Sequence, residues 1–250
     1  MVIRGGRRGE GHHPFFDLSE LIRAQAIKTD LLVFPGDLAD KARPEALRWA
    51  WACVRRIAGD LGGAQIIVTT GNHDLDSRSV YNDHDAKGVL LELTDYPYAE
   101  PSLNNEYWAR SAVLHQSEAY NILVLNSAAY HGYSDESKHG QYRKHSSVYK
   151  ELLLEAETNK LNIFVCHHHL YRYGNIDPRD YSEMVDGSVL LGVLGSGEFG
   201  KWLVIHGHRH WPNLEYAAGT LTHPRSLRRE ASRLWFIRSC RGRLAINAMS

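Results

Sequence analysis

Leu31-Leu32-Val33-Phe34-Pro35-Gly36-Asp37-Leu38-Ala39-Asp40 is the stretch on which the fold turns. Four apolar residues make a short buried strand, and Gly36-Asp37 ends it in polar chemistry. The arrangement recurs three times. Gln65 to Thr69 leads into Gly71-Asn72-His73-Asp74, and Asn162 to Cys166 leads into His167-His168-His169. Trp202 to Ile205 leads into His206-Gly207-His208-Arg209-His210. Amphipathic stretches separate these strands. Asp17-Leu18-Ser19-Glu20 predicts a helix start, with the helix running to about Ile27. Ala42 to Leu61 reads as a helix with Pro44 in its first turn and Gly62-Gly63 at its end. Ser147 to Asn159 and Ser188 to Leu194 read as further helices, and Asn121 to Leu125 as another strand. Short strands are expected near Tyr216, at Leu234 to Ile237 and at Leu244 to Ile246. Residues 75–118 read as a long irregular region, and loops of that size often carry function. Strands alternating with helices predict an α/β fold with helices outside the sheet.

Composition narrows the class. With 43% hydrophobic and 23% charged residues, the 250-residue chain can bury a sizeable core, which excludes wholesale disorder. No linker divides it, so residues 1–250 are read as a single domain. No stretch approaches the ~20 apolar residues that cross a membrane. The start, Met1 to Arg8, lacks the apolar segment of a signal peptide. Three scattered cysteines (Cys53, Cys166, Cys240) make no disulfide framework, so a reducing, cytoplasmic setting is expected. A net charge of zero gives no general case for nucleic acid as partner. Residues 221–250 nevertheless hold seven Arg against one acid, Glu230.

The four polar clusters all follow strands, and open α/β sheets bind ligands at the carboxyl ends of their strands. Carboxylate, amide oxygen and imidazole delivered to one rim suit Mn, Fe, Zn or a similar divalent ion. The lack of a thiolate cluster argues against a structural zinc site. Each cluster alone has a bland reading: Gly36-Asp37 as a turn or helix cap, Gly71-Asn72 as a turn, the three His as one buried residue and two neighbours. His208 and His210 are a sharper signal, because the strand period points both rings the same way. All four together, in this order and after strands, are specific.

That order resembles the calcineurin-like metallophosphoesterase family, whose blocks run Asp-x-His, Gly-Asp-x-x-Asp, Gly-Asn-His-Asp/Glu, a lone His, and Gly-His-x-His. Four of the five blocks are present, over residues 36–210. The resemblance implies a two-sheet β-sandwich flanked by helices, two divalent metal ions at one edge, and hydrolysis of phosphate esters. It implies that Asp37 bridges both metals. Asn72, His167 and His208 would bind the second metal, with His168 open as the alternative to His167, and His210 would bind the first. His73 would assist the leaving group and steady the phosphate. Asp40 and Asp74 would orient the ligands, and Arg209 reads either as a phosphate contact or as an ion-paired surface residue.

One block is missing. No apolar strand ending in Asp-x-His precedes Asp37, and Glu10-Gly11-His12, the nearest mimic, reads as a solvated terminus. The sandwich is thus expected without its first strand, and the first metal site is expected to be impaired beside a well-formed second. Metal-dependent phosphoester hydrolysis is the leading expectation, phosphodiesters slightly ahead of monoesters. A nuclease using the Arg-rich tail (Arg228, Arg229), and a phosphate- or partner-binding homologue without turnover, are the alternatives. Aromatic residues of the loops, Tyr81, Tyr96, Tyr98, Tyr107, Trp108, Tyr171, Tyr173 and Tyr181, either stack on a substrate ring or pack over the sandwich edge. Cys166 reads as core.

Overall fold

A computed structural model describes residues 13–76, 81–131, 146–172, 182–209, 235–240 and 243–248. Helix α1 (Pro14–Ala24) precedes β1 (Leu31–Phe34), and α2 (Pro44–Asp60) crosses over to β2 (Gln65–Val68), which lies parallel to β1. Three short helices follow, α3 (Asn72–Leu75), α4 (Ala86–Leu91) and α5 (Pro101–Arg110). Then come β3 (Ala112–Gln116) and its antiparallel partner β4 (Tyr120–Leu125). Helix α6 (Ser146–Glu155), β5 (Leu161–Val165), α7 (Gly187–Gly195) and β6 (Trp202–Ile205) complete a four-stranded sheet in the order β3-β4-β5-β6. Strands β4, β5 and β6 are parallel. Strands β7 (Trp235–Cys240) and β8 (Arg243–Ala248) pair antiparallel with each other.

The strand period builds the layers. Val113, Ile122, Val124, Ile163, Val165 and Ile205 point to one face of the four-stranded sheet, where they share a core with Val33, Ile67 and Val68 of the two-stranded sheet. Ala112, Leu114, Leu123, Leu125 and Phe164 point the other way, onto Tyr149, Leu152 and Leu153 of α6 and Leu190 and Leu194 of α7. Each such aliphatic side chain contributes roughly 1.5–3 kcal/mol when fully buried. A shift of one residue in any strand would exchange its two faces, so the register is held from both sides. Helix α2 follows its own period, burying Leu47, Ala50, Trp51, Val54, Ile57 and Ala58. The last two join Ile22 and Leu61 in a smaller cluster against Leu32 and Ile66. This is the expected two-sheet sandwich with flanking helices. Among the described residues no helix is long and apolar enough to cross a membrane.

Several elements differ from the sequence reading. Helix α1 starts a turn early, with Pro14 at its first position and His13 Nδ1 accepting from Phe15 N. Asp40–Ala42 forms a separate 3-10 turn before α2. Residues 75–118 are not an irregular loop. They hold α4, α5 and β3, whose short runs carry weak periodicity, and Tyr96, Tyr98 and Tyr107 fill the core. The strand expected near Tyr216, Glu10, His12 and the Arg-rich stretch before Trp235 lie outside the described residues.

Candidate metal centre

Strands β1, β2, β5 and β6 deliver their carboxyl ends to one rim. The joints between them are tight. Gly207 N donates to His167 O at 3.0 Å, and His167 Nδ1 donates to Pro35 O at 2.8 Å. Gly36 stands at φ 90°, and a side chain there would meet Gly71 N at 2.6 Å and His167 Nδ1 at 2.8 Å. Only glycine allows this approach of the first two loops.

Four donor atoms converge on one point. His167 Nε2 lies 3.1 Å from Asn72 Oδ1 and 3.4 Å from Asp37 Oδ2. His208 Nδ1 lies 3.1 Å from Asn72 Oδ1 and 3.2 Å from His167 Nε2. Asp37, His167 and His208 each offer one ligand atom, all within 4.8 Å of one another. Ligands about 2.0–2.2 Å from a shared ion stand roughly 2.8–3.6 Å apart in tetrahedral or octahedral geometry. The close contacts here fit that spacing.

The chemistry of these atoms fits a cation as well. Because the Pro35 carbonyl can only accept, His167 carries its proton on Nδ1 and presents a bare Nε2 in its neutral form. That lone pair faces an amide oxygen and a carboxylate, so positive charge is needed between them. Burial disfavours charge on His167, but the Asp37 carboxylate, the Pro35 carbonyl and Asp74 together raise its pKa. Burial likewise opposes charge on Asp37, yet the neighbouring His167 above all holds its pKa below the usual carboxylate range. Burial and the neighbouring His167 keep His208 neutral. Asp37 and His208 also hold left-handed backbone, φ 57° and 71°, at a cost of order 1 kcal/mol each. Strain of this kind concentrates at functional sites.

The other expected residues fall into place around the cluster. His73 donates its backbone N–H to Asp37 Oδ1 at 3.1 Å. Its Nδ1 is buried 3.1 Å from Asp40 Oδ1 and makes no hydrogen bond among the described residues. Asp74 is fully buried and accepts from Gly71 N at 2.9 Å and Ala39 N at 3.1 Å, tying the first loop to the second. Burial and the Asp37 charge push its carboxyl up to about 7. Arg209 reaches Ser182 Oγ at 3.5 Å. His168 packs its ring 4.6 Å from that of His208 and puts Nδ1 2.9 Å from Ser127 Oγ, while His167 is the one whose ring nitrogen joins the cluster of ligand atoms. His210 lies outside the described residues. Cys166 is fully buried, and burial pushes its thiol well up.

Three supporting residues carried no motif. Ser127 Oγ accepts from His167 N at 3.2 Å and His168 N at 3.1 Å, so it shapes the histidine loop. Tyr107 OH accepts from Thr70 N at 2.8 Å and bonds the Thr69 and Thr70 hydroxyls, anchoring the chain just before Asn72. Asp76 Oδ2 accepts from Tyr81 N and Asn82 N at 3.1 and 2.9 Å. Ser127 alone could have been sought, because it sits two residues past a strand end on the same rim.

The chain is similar to several known proteins. A cAMP/cGMP dual specificity phosphodiesterase of Mycobacterium tuberculosis is 40% identical over 58 residues, a stretch that spans 23% of this chain and 18% of that protein. A purple acid phosphatase from seeds of yellow lupin, Lupinus luteus, superposes with a TM-score of 0.52 at 12% identity, over 82% of this chain and 36% of that one. That likeness is one of fold. A phosphopantetheinyl hydrolase from M. tuberculosis gives a TM-score of 0.43 at 12% identity, over 80% and 81% of the two chains. The calcineurin-like phosphoesterase description matches residues 11–229, which takes in both sheets of the sandwich and every loop of the rim, and the chain belongs to that family.

Proposed function

We propose that this chain is a hydrolase of phosphate esters, with phosphodiesters preferred, and that it works through divalent cations at the rim. The observation that carries the reading is the convergence of Asp37, Asn72, His167 and His208 on one point at 3.1–3.4 Å. The phosphodiester preference draws on the name of the mycobacterial relative. Asp37, Asn72, His167 and His208 would hold one ion; a second would have Asp37 and His210, which lies outside the described residues, as its evident ligands and would be bound less well. A divalent cation there supplies Lewis acidity to water and to phosphoryl oxygens.

The side chains do the rest. Asp37 and the two imidazoles fix the position at which phosphate oxygens gather. His73 keeps Nδ1 against Asp40 while its side chain stays 38% exposed, so the accessible edge carries Nε2. In this reading that atom gives a proton to the leaving oxygen. Asp40 keeps the ring oriented. Arg209 adds positive charge beside the ligands, where charge builds on the phosphoryl group.

The test is turnover of bis(p-nitrophenyl) phosphate by the manganese-loaded chain, set against Asp37→Asn. Hydrolysis that the substitution abolishes supports the reading. Equal rates in both proteins remove Asp37 from the site. Phosphate binding without turnover favours a binding homologue, and cleavage confined to DNA or RNA favours a nuclease.

A further inference from the structure

Of the loop aromatics, Tyr96, Tyr98 and Tyr107 are 2%, 5% and 0% exposed and belong to the core. Tyr81 is different: it is 49% exposed and stands beside the candidate site. Its ring lies nearly parallel to that of His73, with an interplanar angle of 14° and centroids 6.5 Å apart. The Lys41 ammonium sits over the Tyr81 ring, 4.8 Å from its centroid.

The position is built. Asp76 Oδ2 holds the backbone N–H of Tyr81 and of Asn82, and accepts from Asn82 Nδ2 at 3.0 Å. Asn82 Nδ2 also donates to Lys41 O at 2.6 Å, and His84 Nε2 lies 3.2 Å from Ala42 O. These bonds join the segment carrying Tyr81 to the loop that carries Asp37 and Asp40. In that loop Lys41 holds φ 61° and Ala42 φ 46°, left-handed backbone that a plain surface turn would avoid. The result is an aromatic ring kept half-exposed beside His73, where full burial would otherwise be favourable.

We propose that Tyr81, backed by Lys41, is a stacking platform for a planar aromatic ring on the leaving-group side of the phosphate ester. The inference rests on the phosphoesterase reading, because His73 marks the side on which the leaving group departs. A ring joined to that oxygen lies against Tyr81. An alkyl leaving group has no flat face to offer there. Ring stacking on a single aromatic side chain corresponds to about tenfold or more in affinity.

The experiment is calorimetric binding to the manganese-loaded chain of three non-hydrolysable probes: methylphosphonate, phenylphosphonate and an adenosine 5′-phosphonate. Wild type is expected to hold a ring-bearing probe about tenfold more tightly than methylphosphonate. Tyr81→Phe keeps that preference and Tyr81→Ala reduces it to near one. Tighter binding of phenylphosphonate identifies an aryl ester, and tighter binding of the adenosine probe a nucleotide ester. The alanine variant keeps the Asp76 bonds, which use backbone N–H groups, and its melting temperature checks its fold. A preference that survives Tyr81→Ala, or none in wild type, overturns the platform and leaves the phosphoesterase reading standing. Failure of every probe to bind, together with no turnover of bis(p-nitrophenyl) phosphate, overturns both.

Discussion

His167 Nδ1 donates to the Pro35 carbonyl at 2.8 Å, and this one bond turns a bare Nε2 toward Asn72 and Asp37. The cluster is therefore short of positive charge and should be stabilised by a divalent ion. At a manganese or zinc concentration 100 times its dissociation constant, folding gains about 2.7 kcal/mol. For a chain of this size that corresponds to roughly 5–10 °C in melting temperature. Calorimetry with and without metal checks it, and chelation should reverse the shift. Asn72→Ala should shrink the shift, while an unchanged shift in that variant would remove Asn72 from the ligands.

Asp37→Asn tests the charge rather than the shape. The amide keeps an oxygen for the His73 N–H, which Asp37 Oδ1 now accepts at 3.1 Å, so the loop should keep its path. The anionic ligand is lost. Removal of groups that merely support a ligand costs roughly 10–100-fold in metal affinity, and removal of the carboxylate should cost more. Titration calorimetry with manganese reads the affinity, and circular dichroism confirms the fold.

Ser127→Ala should act at a distance from any substrate. The hydroxyl oxygen accepts from two backbone N–H groups and faces His168 Nδ1. Deleting it leaves buried donors without a partner, each costing about 1–3 kcal/mol. A loss of about 2–6 kcal/mol in urea unfolding is expected for the two donors, with weaker manganese binding because the backbone of His167 loses one of its anchors. Full metal affinity in a destabilised variant would confine Ser127 to a structural part.

The strands that carry the rim were legible because they announce themselves twice. β1 and β6 have the bounds expected from four-residue apolar runs, and each is followed by its polar cluster. Between Leu75 and Gln116 the signal failed. Helices α4 and α5 are 6 and 10 residues long, and only a few of their residues, Ala86, Leu90 and Tyr107, reach the core, where they meet Tyr96 and Tyr98. The choice between His167 and His168 was equally hidden. Adjacent residues share a motif, and only the Pro35 carbonyl on one side and Ser127 on the other separate their directions. Ser127 and Tyr107 support the site through hydrogen bonds across more than 35 residues of sequence, which no local spacing encodes.

Tyr107→Phe should loosen the approach to Asn72 without touching the ligands. The hydroxyl is buried and serves Thr70 N and the hydroxyls of Thr69 and Thr70. Its loss strands a backbone donor and should cost about 1–3 kcal/mol in denaturant unfolding. Thr69 Oγ1 keeps its bond to Leu125 O at 2.7 Å, so β2 should stay in register. A variant as stable as wild type would show that water replaces the phenol.

His115 on β3 should govern stability in mild acid. Its ring is 4% exposed, packs edge-on against Tyr98 with centroids 4.5 Å apart, and has a buried Nε2 without a hydrogen-bond partner. Burial lowers its pKa from 6.5 to about 4. Between those values the unfolded chain binds the proton and the folded chain refuses it. Stability is therefore complete above about pH 6.5 and falls as pH drops toward 4, by about 1.4 kcal/mol per unit and roughly 3 kcal/mol in all. Below pH 4 both states are protonated and this contribution stops changing. His115→Leu removes the group without breaking a hydrogen bond, so at pH 7 it should cost little. Urea unfolding of both proteins from pH 7 to pH 4 reads the difference. The variant's curve should be flatter by the His115 contribution, and parallel curves would mean that the imidazole accepts its proton in the folded state.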